Sequence, residues 1–147
     1  MYIPTTDGKN HINIYSKGWT ELGRFLSNFA NCSIATEDGP FNSIEGYWYW
    51  LSTRDDSLRT LYGYNAKKIG NKLTKHFILL QHDFQEKIRQ ACWIKLHTNP
   101  QMLFKFKQSV LPFTHYYTFN DKIVDGGHKW ILNMWTYFRT YIQNDYR

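Results

Sequence analysis

The chain has 147 residues, enough for one domain of ordinary size with a packed core. Lys and Arg number 18 against 12 Asp and Glu, giving a net charge of +6 and a pI near 9.3, while 42% of residues are hydrophobic and 18% aromatic. No apolar run approaches the roughly 18 residues of a membrane helix, and Met1-Tyr2-Ile3-Pro4-Thr5-Thr6-Asp7 is not a basic stretch followed by an apolar one. Those absences argue against membrane insertion and a secretory leader, so a cytoplasmic protein is expected. The basic balance favours polyanions, either nucleic acid or a phosphate-bearing ligand, with a merely solvated basic surface as the other reading.

In chain order, His11-Ile12-Asn13-Ile14-Tyr15-Ser16 alternates like a short strand, and Cys32 to Thr36 reads as a second. Glu37-Asp38-Gly39-Pro40 turns the chain. Ser43 is a good N-cap, and a helix is expected from there to about Thr53, with another over Asn65–Leu73. Asp83 and Glu86 have the spacing of a capping box, followed by Phe84, Ile88, Ala91, Cys92 and Lys95 at helical intervals. Cys92 is expected as a buried free thiol. Neither it nor Cys32 has metal-type spacing, and His82 and His97 have no nearby partner motif, so no metal or cofactor is expected. Asn99-Pro100 opens a helix lined by Leu103, Phe106 and Val110. The last helix carries a broad apolar stripe of Trp130, Ile131, Met134, Trp135, Phe138, Tyr141 and Ile142. The result is a helix-rich α+β single domain, 1–147, with a small N-terminal β element. Residues 116–128 read as a polar, glycine-bearing loop on which a site could be built.

No nucleophile-elbow serine, P-loop or G-x-G-x-x-G is present. What remains is carboxylates in unusual settings. Glu45 precedes Tyr47, Trp48, Tyr49 and Trp50. A carboxylate among rings loses hydration and its pKa tends to rise, which suits a general acid/base or a stabiliser of a developing cation. A first-turn glutamate that merely complements the helix dipole is the plainer reading. Asp121 and Asp125 sit in the loop, where turn chemistry accounts for them equally well. Gly126-Gly127 is a weak phosphate-cradle signal.

Phe25-Leu26-Ser27-Asn28-Phe29, then Phe41-Asn42-Ser43-Ile44-Glu45-Gly46-Tyr47-Trp48, then Asn65-Ala66-Lys67-Lys68-Ile69-Gly70 resemble successive motifs of the NADAR (YbiA-like) family. The basic helix from Asp83 to Lys95 and the segment Asn120 to Trp135 resemble its later elements, so the resemblance spans roughly residues 11–140. The chain departs from the pattern at Gly46, where the family has histidine, at Ser52, where it has lysine, and near Leu80 and Val124, where it has tryptophans.

The resemblance implies a YbiA-like fold and N-glycosidase chemistry on ADP-ribose-type ligands. Characterised members remove ADP-ribose from guanine bases in nucleic acid or cleave riboflavin-pathway intermediates. It gives Glu45 the place of the catalytic glutamate, and Asp121 that of the loop aspartate, with Asp125 the alternative because the match there carries a one-residue gap. Asn28, Ser27, Phe29 and Trp48 are expected at the ligand, with Gly126 and Gly127. Arg24, Lys67 and Lys68 are expected at a diphosphate or a nucleic-acid backbone. Lys67, Lys68 or Lys72 could stand in for the missing lysine. A composition rich in Ile, Asn, Lys and Tyr with four alanines suits a phage or an AT-rich genome, hence a host cytoplasm. The rivals are a module that sequesters an ADP-ribose-type nucleotide without cutting it, and a basic, aromatic-rich nucleic-acid binder.

Overall fold

A computed structural model describes residues 1–76, 78–79 and 82–146. The described strands are β1 (Ile12–Asn13), β2 (Ile34–Thr36), β3 (Gly39–Phe41), β4 (Phe113–Thr114), β5 (Tyr116–Phe119) and β6 (Lys122–Asp125). The described helices are α1 (Glu21–Leu26), α2 (Ile44–Thr53), α3 (Gly63–Thr74), α4 (Phe84–His97), α5 (Pro100–Gln108) and α6 (Lys129–Gln143), with 3-10 turns at Pro4–Thr6 and Asp56–Thr60. This is the expected helix-rich α+β class. The contacts gather into two compact units, Met1–Ser27 with Pro100–Arg147, and Asn28–Asn99.

In the first unit β1 pairs in parallel with β4. The strand expected over 11–16 shortens to two residues because side chains take over the hydrogen bonding. Buried Asp7 accepts from the N–H groups of Asn13 (3.0 Å) and Trp19 (2.8 Å). Buried Asn13 accepts from Tyr116 N (3.0 Å) and donates to Tyr116 O (3.0 Å). Helix α1, which no periodicity announced, is capped by Thr20, whose hydroxyl accepts from Gly23 N at 2.8 Å. Helix α5 starts at Pro100 as expected but buries Met102 and Phe106, and Val110 lies beyond its end, 82% exposed. Helix α6 buries Ile131, Met134, Trp135, Phe138 and Ile142, with Trp130 and Tyr141 only half-buried. Arg139 joins the buried face, its guanidinium 4.0 Å from the Phe113 ring centroid and donating to Leu111 O at 2.7 Å.

The segment expected as a polar loop is instead the antiparallel hairpin β5–β6. The Phe119↔Lys122 pair leaves Asn120-Asp121 as a two-residue turn, with φ of 48° and 60°. Positive φ at both central residues is type I′ geometry, whose twist matches that of paired strands. The β structure is therefore not confined to the N-terminal region.

In the second unit β2 and β3 form a hairpin around Glu37-Asp38, with Gly39 and Pro40 already in the second strand. Helix α2 begins after Ser43 as expected; the serine hydroxyl accepts from Gly46 N (2.9 Å) and donates to Leu61 O (2.9 Å). Helix α2 packs against α3, α4 and the turn Asp56–Thr60, burying Ile44, Tyr47, Trp50 and Leu51. Helix α3 starts two residues earlier than expected and buries Ala66 and Gly70. A β-carbon at Gly70 would run into the Tyr49 ring, so this glycine sets the close approach of α2 and α3. Helix α4 covers the expected segment, but no side chain caps it at Asp83; Glu86 pairs with Arg89 at 3.6 Å. Its buried face is Ile88, Ala91, Cys92, Lys95 and Leu96, and burial pushes the Cys92 thiol up to about 12 and the Lys95 ammonium down to about 8.

Candidate active site

Glu45 is the second residue of α2, and its N–H donates to Asn28 O at 2.9 Å. The next carbonyl, that of Phe29, accepts from Gly63 N, the first residue of α3, at 3.0 Å. Two adjacent peptide units thus satisfy first-turn N–H groups of both helices, which otherwise lack intrahelical partners. That main-chain role belongs to the Asn28-Phe29 pair in the structure.

The Glu45 side chain is half-buried. Burial pushes its carboxyl up to about 7, and Lys67 on α3 pulls only partly in the other direction. A group taken from water loses hydration of its charged form, and one lysine does not restore it. The carboxyl therefore exchanges its proton near neutrality, where an ordinary glutamate is ionised. Trp48, one residue short of a full turn further along, is half-buried and meets Phe84 edge-on at 4.7 Å. Lys68 is exposed beside Lys67.

Tyr47, two residues after the glutamate, projects to the opposite side of the helix. It is buried, and its hydroxyl donates to Asp38 at 2.6 Å; Lys87 donates to Asp38 (3.0 Å) and Glu37 (2.9 Å). The glutamate and the tyrosine of the same motif therefore serve a solvent-reachable position and the core respectively. Position 46 has no space for a side chain: a β-carbon there would stand 2.5 Å from Leu58 O and 3.3 Å from Leu61 O. Ser52 accepts through its carbonyl from Leu79 N at 2.6 Å. Leu80 lies outside the described residues.

The other sequence candidates belong to the first unit. Arg24, in the last turn of α1, donates to Gly18 O at 2.8 Å, and Ser27 ends that helix in a buried position. Asp121 is exposed in the hairpin turn, and Val124 is exposed on β6. Asp125 accepts from Gly127 N at 2.9 Å, Gly126 lies against the His115 ring, and Gly127 takes a φ of 71° on the way into α6. Local backbone geometry accounts for these three. A shallow hollow lined by Pro100, Gln101, Phe104 and Lys105 includes none of the candidates.

Sequence reasoning placed Gly70 in a motif but gave it no role, and missed Asn71, which accepts the Tyr49 hydroxyl at 2.9 Å and ties α3 to α2. The four-residue spacing of Ala66 and Gly70, two small residues on one helical face, was the available signal.

No protein-family model matches the sequence, and no curated protein matches it. The fold does have a counterpart. The chain is similar to the NMR structure of the E. coli protein YbiA, with a TM-score of 0.66 at 18% identity, over 92% of this chain and 86% of that one. The helix-rich α+β architecture is thus a YbiA-like fold. No described helix is long and apolar enough to cross a membrane.

Proposed function

We propose that this protein is an N-glycosidase that hydrolyses an ADP-ribose-type N-glycosidic bond, with a guanine base in nucleic acid as the preferred leaving group. The observation that carries the reading is Glu45: a half-buried carboxyl, pushed up to about 7 by burial, at a helix start next to a lysine. The YbiA-like fold and the motif resemblance both favour it.

Such a bond breaks through an oxocarbenium-like state at the ribose C1″. Ionised Glu45 stabilises that cation and takes a proton from the attacking water, whose oxygen bonds to C1″ as the C–N pair leaves with the base. The departing nitrogen takes up a proton from solvent, so the products are free ADP-ribose and the unmodified base. Lys67 favours the ionised form of Glu45 and is free to meet a phosphate as well. Asn28, Phe29, Trp48 and Lys68, in the same unit as Glu45, complete the proposed ligand contacts, while Asp121, Asp125, Ser27, Arg24, Gly126 and Gly127 are candidates from the motif resemblance alone. In a phage, in its host's cytoplasm, this activity would reverse a toxin's modification of DNA.

Incubation with a guanine-ADP-ribosylated oligonucleotide, read by mass, tests the reading. Loss of the ADP-ribosyl mass is expected, with a rate that rises with pH through about 7 as Glu45 ionises. Glu45→Gln keeps the shape and removes the charge, so turnover should fall about a hundred- to a thousand-fold while ADP-ribose still raises the melting temperature. Wild-type turnover in Glu45→Gln would remove this residue from the mechanism and move attention to Asp121→Asn and Asp125→Asn. The closed space at Gly46 favours a second reading, a module that holds the nucleotide without cutting it. Its signature is an ADP-ribose melting shift with no mass change.

A further inference from the structure

From Ser57 to His82 the sequence contains no Asp or Glu, yet it contains Arg59, Lys67, Lys68, Lys72 and Lys75. That one stretch carries +5 of the chain's net +6. Arg59 is engaged, paired with Asp56 at 2.8 Å and set over the Phe41 and Trp50 rings. The four lysines are on or at the end of α3, all four are exposed, and none forms an ion pair among the described residues. By contrast Lys87, Lys105 and Lys107 each reach a carboxylate.

The lysines are also arranged. Tyr64, Lys68, Lys72 and Lys75 follow one another at four, four and three residues, which aligns them in one stripe about 16 Å long. The stripe lies opposite the Ala66 and Gly70 face packed on α2. Its first member, Tyr64, is 68% exposed, and Tyr62 beside it is 50% exposed. Lys67 stands off the stripe, on the side that acts on Glu45.

We infer that the outward face of α3 is a docking track for single-stranded nucleic acid, with Lys68, Lys72 and Lys75 on successive phosphates and Tyr64 stacked on an unpaired base. Charge complementarity selects a polyanion, and an exposed ring selects bases that are free to stack, which a duplex does not offer. An anionic membrane fits less well, because the stripe has no Leu, Phe or Trp to insert. The Tyr64–Lys68 end of the track adjoins Lys67, whose charge acts on Glu45, so a bound strand would present a modified base to that carboxyl. This last link rests on the glycosidase reading; the docking track itself does not.

The test is fluorescence anisotropy with unmodified single-stranded DNA, single-stranded RNA and the matching duplex across a salt series. Single strands should bind, with affinity falling steeply as salt rises. The triple variant Lys68→Gln, Lys72→Gln, Lys75→Gln should flatten the log–log salt slope by about 2. Tyr64→Ala should weaken binding roughly tenfold and leave that slope unchanged. Lys105→Gln with Lys107→Gln removes charge elsewhere and should leave the slope close to wild type. Thermal melts check that each variant is folded, and an ADP-ribose melting shift retained by Lys72→Gln with Lys75→Gln, which leaves Lys68 in place, separates the track from the nucleotide site. Binding to DNA or to RNA supports the track, and the tighter of the two names the carrier. An unchanged slope in the triple variant, equal flattening in the α5 control, duplex bound as tightly as single strand, or binding only to phosphatidylserine vesicles overturns it. If ADP-ribose neither binds nor is released, the glycosidase reading fails while oligonucleotide binding still decides the track.

Discussion

Carboxylates suited to chemistry sit in two regions, the α2–α3 helix pair and the β5–β6 hairpin, and the two are built in opposite ways. Around Glu45 the backbone is fixed from several directions: Ser43 caps the helix, Asn28 holds the Glu45 N–H, and glycines at 46 and 70 admit close neighbours. In the hairpin all of β6 is exposed, and its aspartates serve a turn and a neighbouring N–H. A carboxyl becomes unusual when its surroundings are too rigid to rehydrate it, and only the helix pair provides such surroundings.

Substitution at Gly46 is the harshest way to test that rigidity. Gly46→His restores the residue of the motif pattern but drives a ring into the carbonyls of Leu58 and Leu61. A loss of about 3 kcal/mol or more in urea unfolding is expected, by overpacking against backbone that cannot move aside. A near-neutral result would mean that the helix pair yields and that the contrast with the hairpin is overstated.

The next largest effect is on pH dependence. The carboxyl of Glu45 titrates at its ordinary 4.5 when unfolded and near 7 when folded. Between those values the folded state holds the extra proton, so stability falls as pH rises through that window and stays lower above it. Glu45→Gln abolishes this dependence. By pH 8 the variant should be more stable than wild type by up to about 3 kcal/mol, and near pH 4 the two should be close to equal. Parallel stability curves would show that Glu45 is as well hydrated as a surface carboxylate.

The smallest effect belongs to the hairpin. Asp125→Ala removes one side-chain acceptor for Gly127 N in an exposed turn, and about 0.5–1 kcal/mol should be lost in thermal unfolding. A cost comparable to that of Gly46→His would place Asp125 in a constrained setting and cancel the comparison.

These contrasts also explain what could be read in advance. The start of α2 at Ser43 was legible because a capping hydroxyl and an apolar run are local signals, as was α6 with its long stripe. The hairpin was not. Strands are usually recognised by alternation between a buried and an exposed face, and β6 has no buried face to alternate with. Its signature was the two-residue Asn-Asp turn between Tyr-Tyr-Thr-Phe and Lys-Ile-Val, which glycines further on made easy to read as loop. Glu45 and Lys67 could each be singled out from sequence, but their electrostatic coupling depends on Gly70 packing against Tyr49, a contact 21 positions apart; the Ala66/Gly70 spacing marks a close-packed face but does not name its partner. Val110 failed because continuing an apolar spacing does not supply a helix where the chain has already turned away.

The paired carbonyls of Asn28 and Phe29 have a mechanical consequence. One post carries two levers: α2 and α3 are pinned at their starts to consecutive links of the same turn. Neither helix can slide along its axis without dragging the other, so the spacing between carboxylate and ammonium is gauged by the length of a single peptide unit. A one-residue insertion between Asn28 and Phe29 would act as a shim, opening that gap while leaving every helix-forming residue in place. Such a site is tuned by the backbone of a loop, and substitutions on the two helices away from Gly46, Tyr49 and Gly70 can accumulate without detuning it.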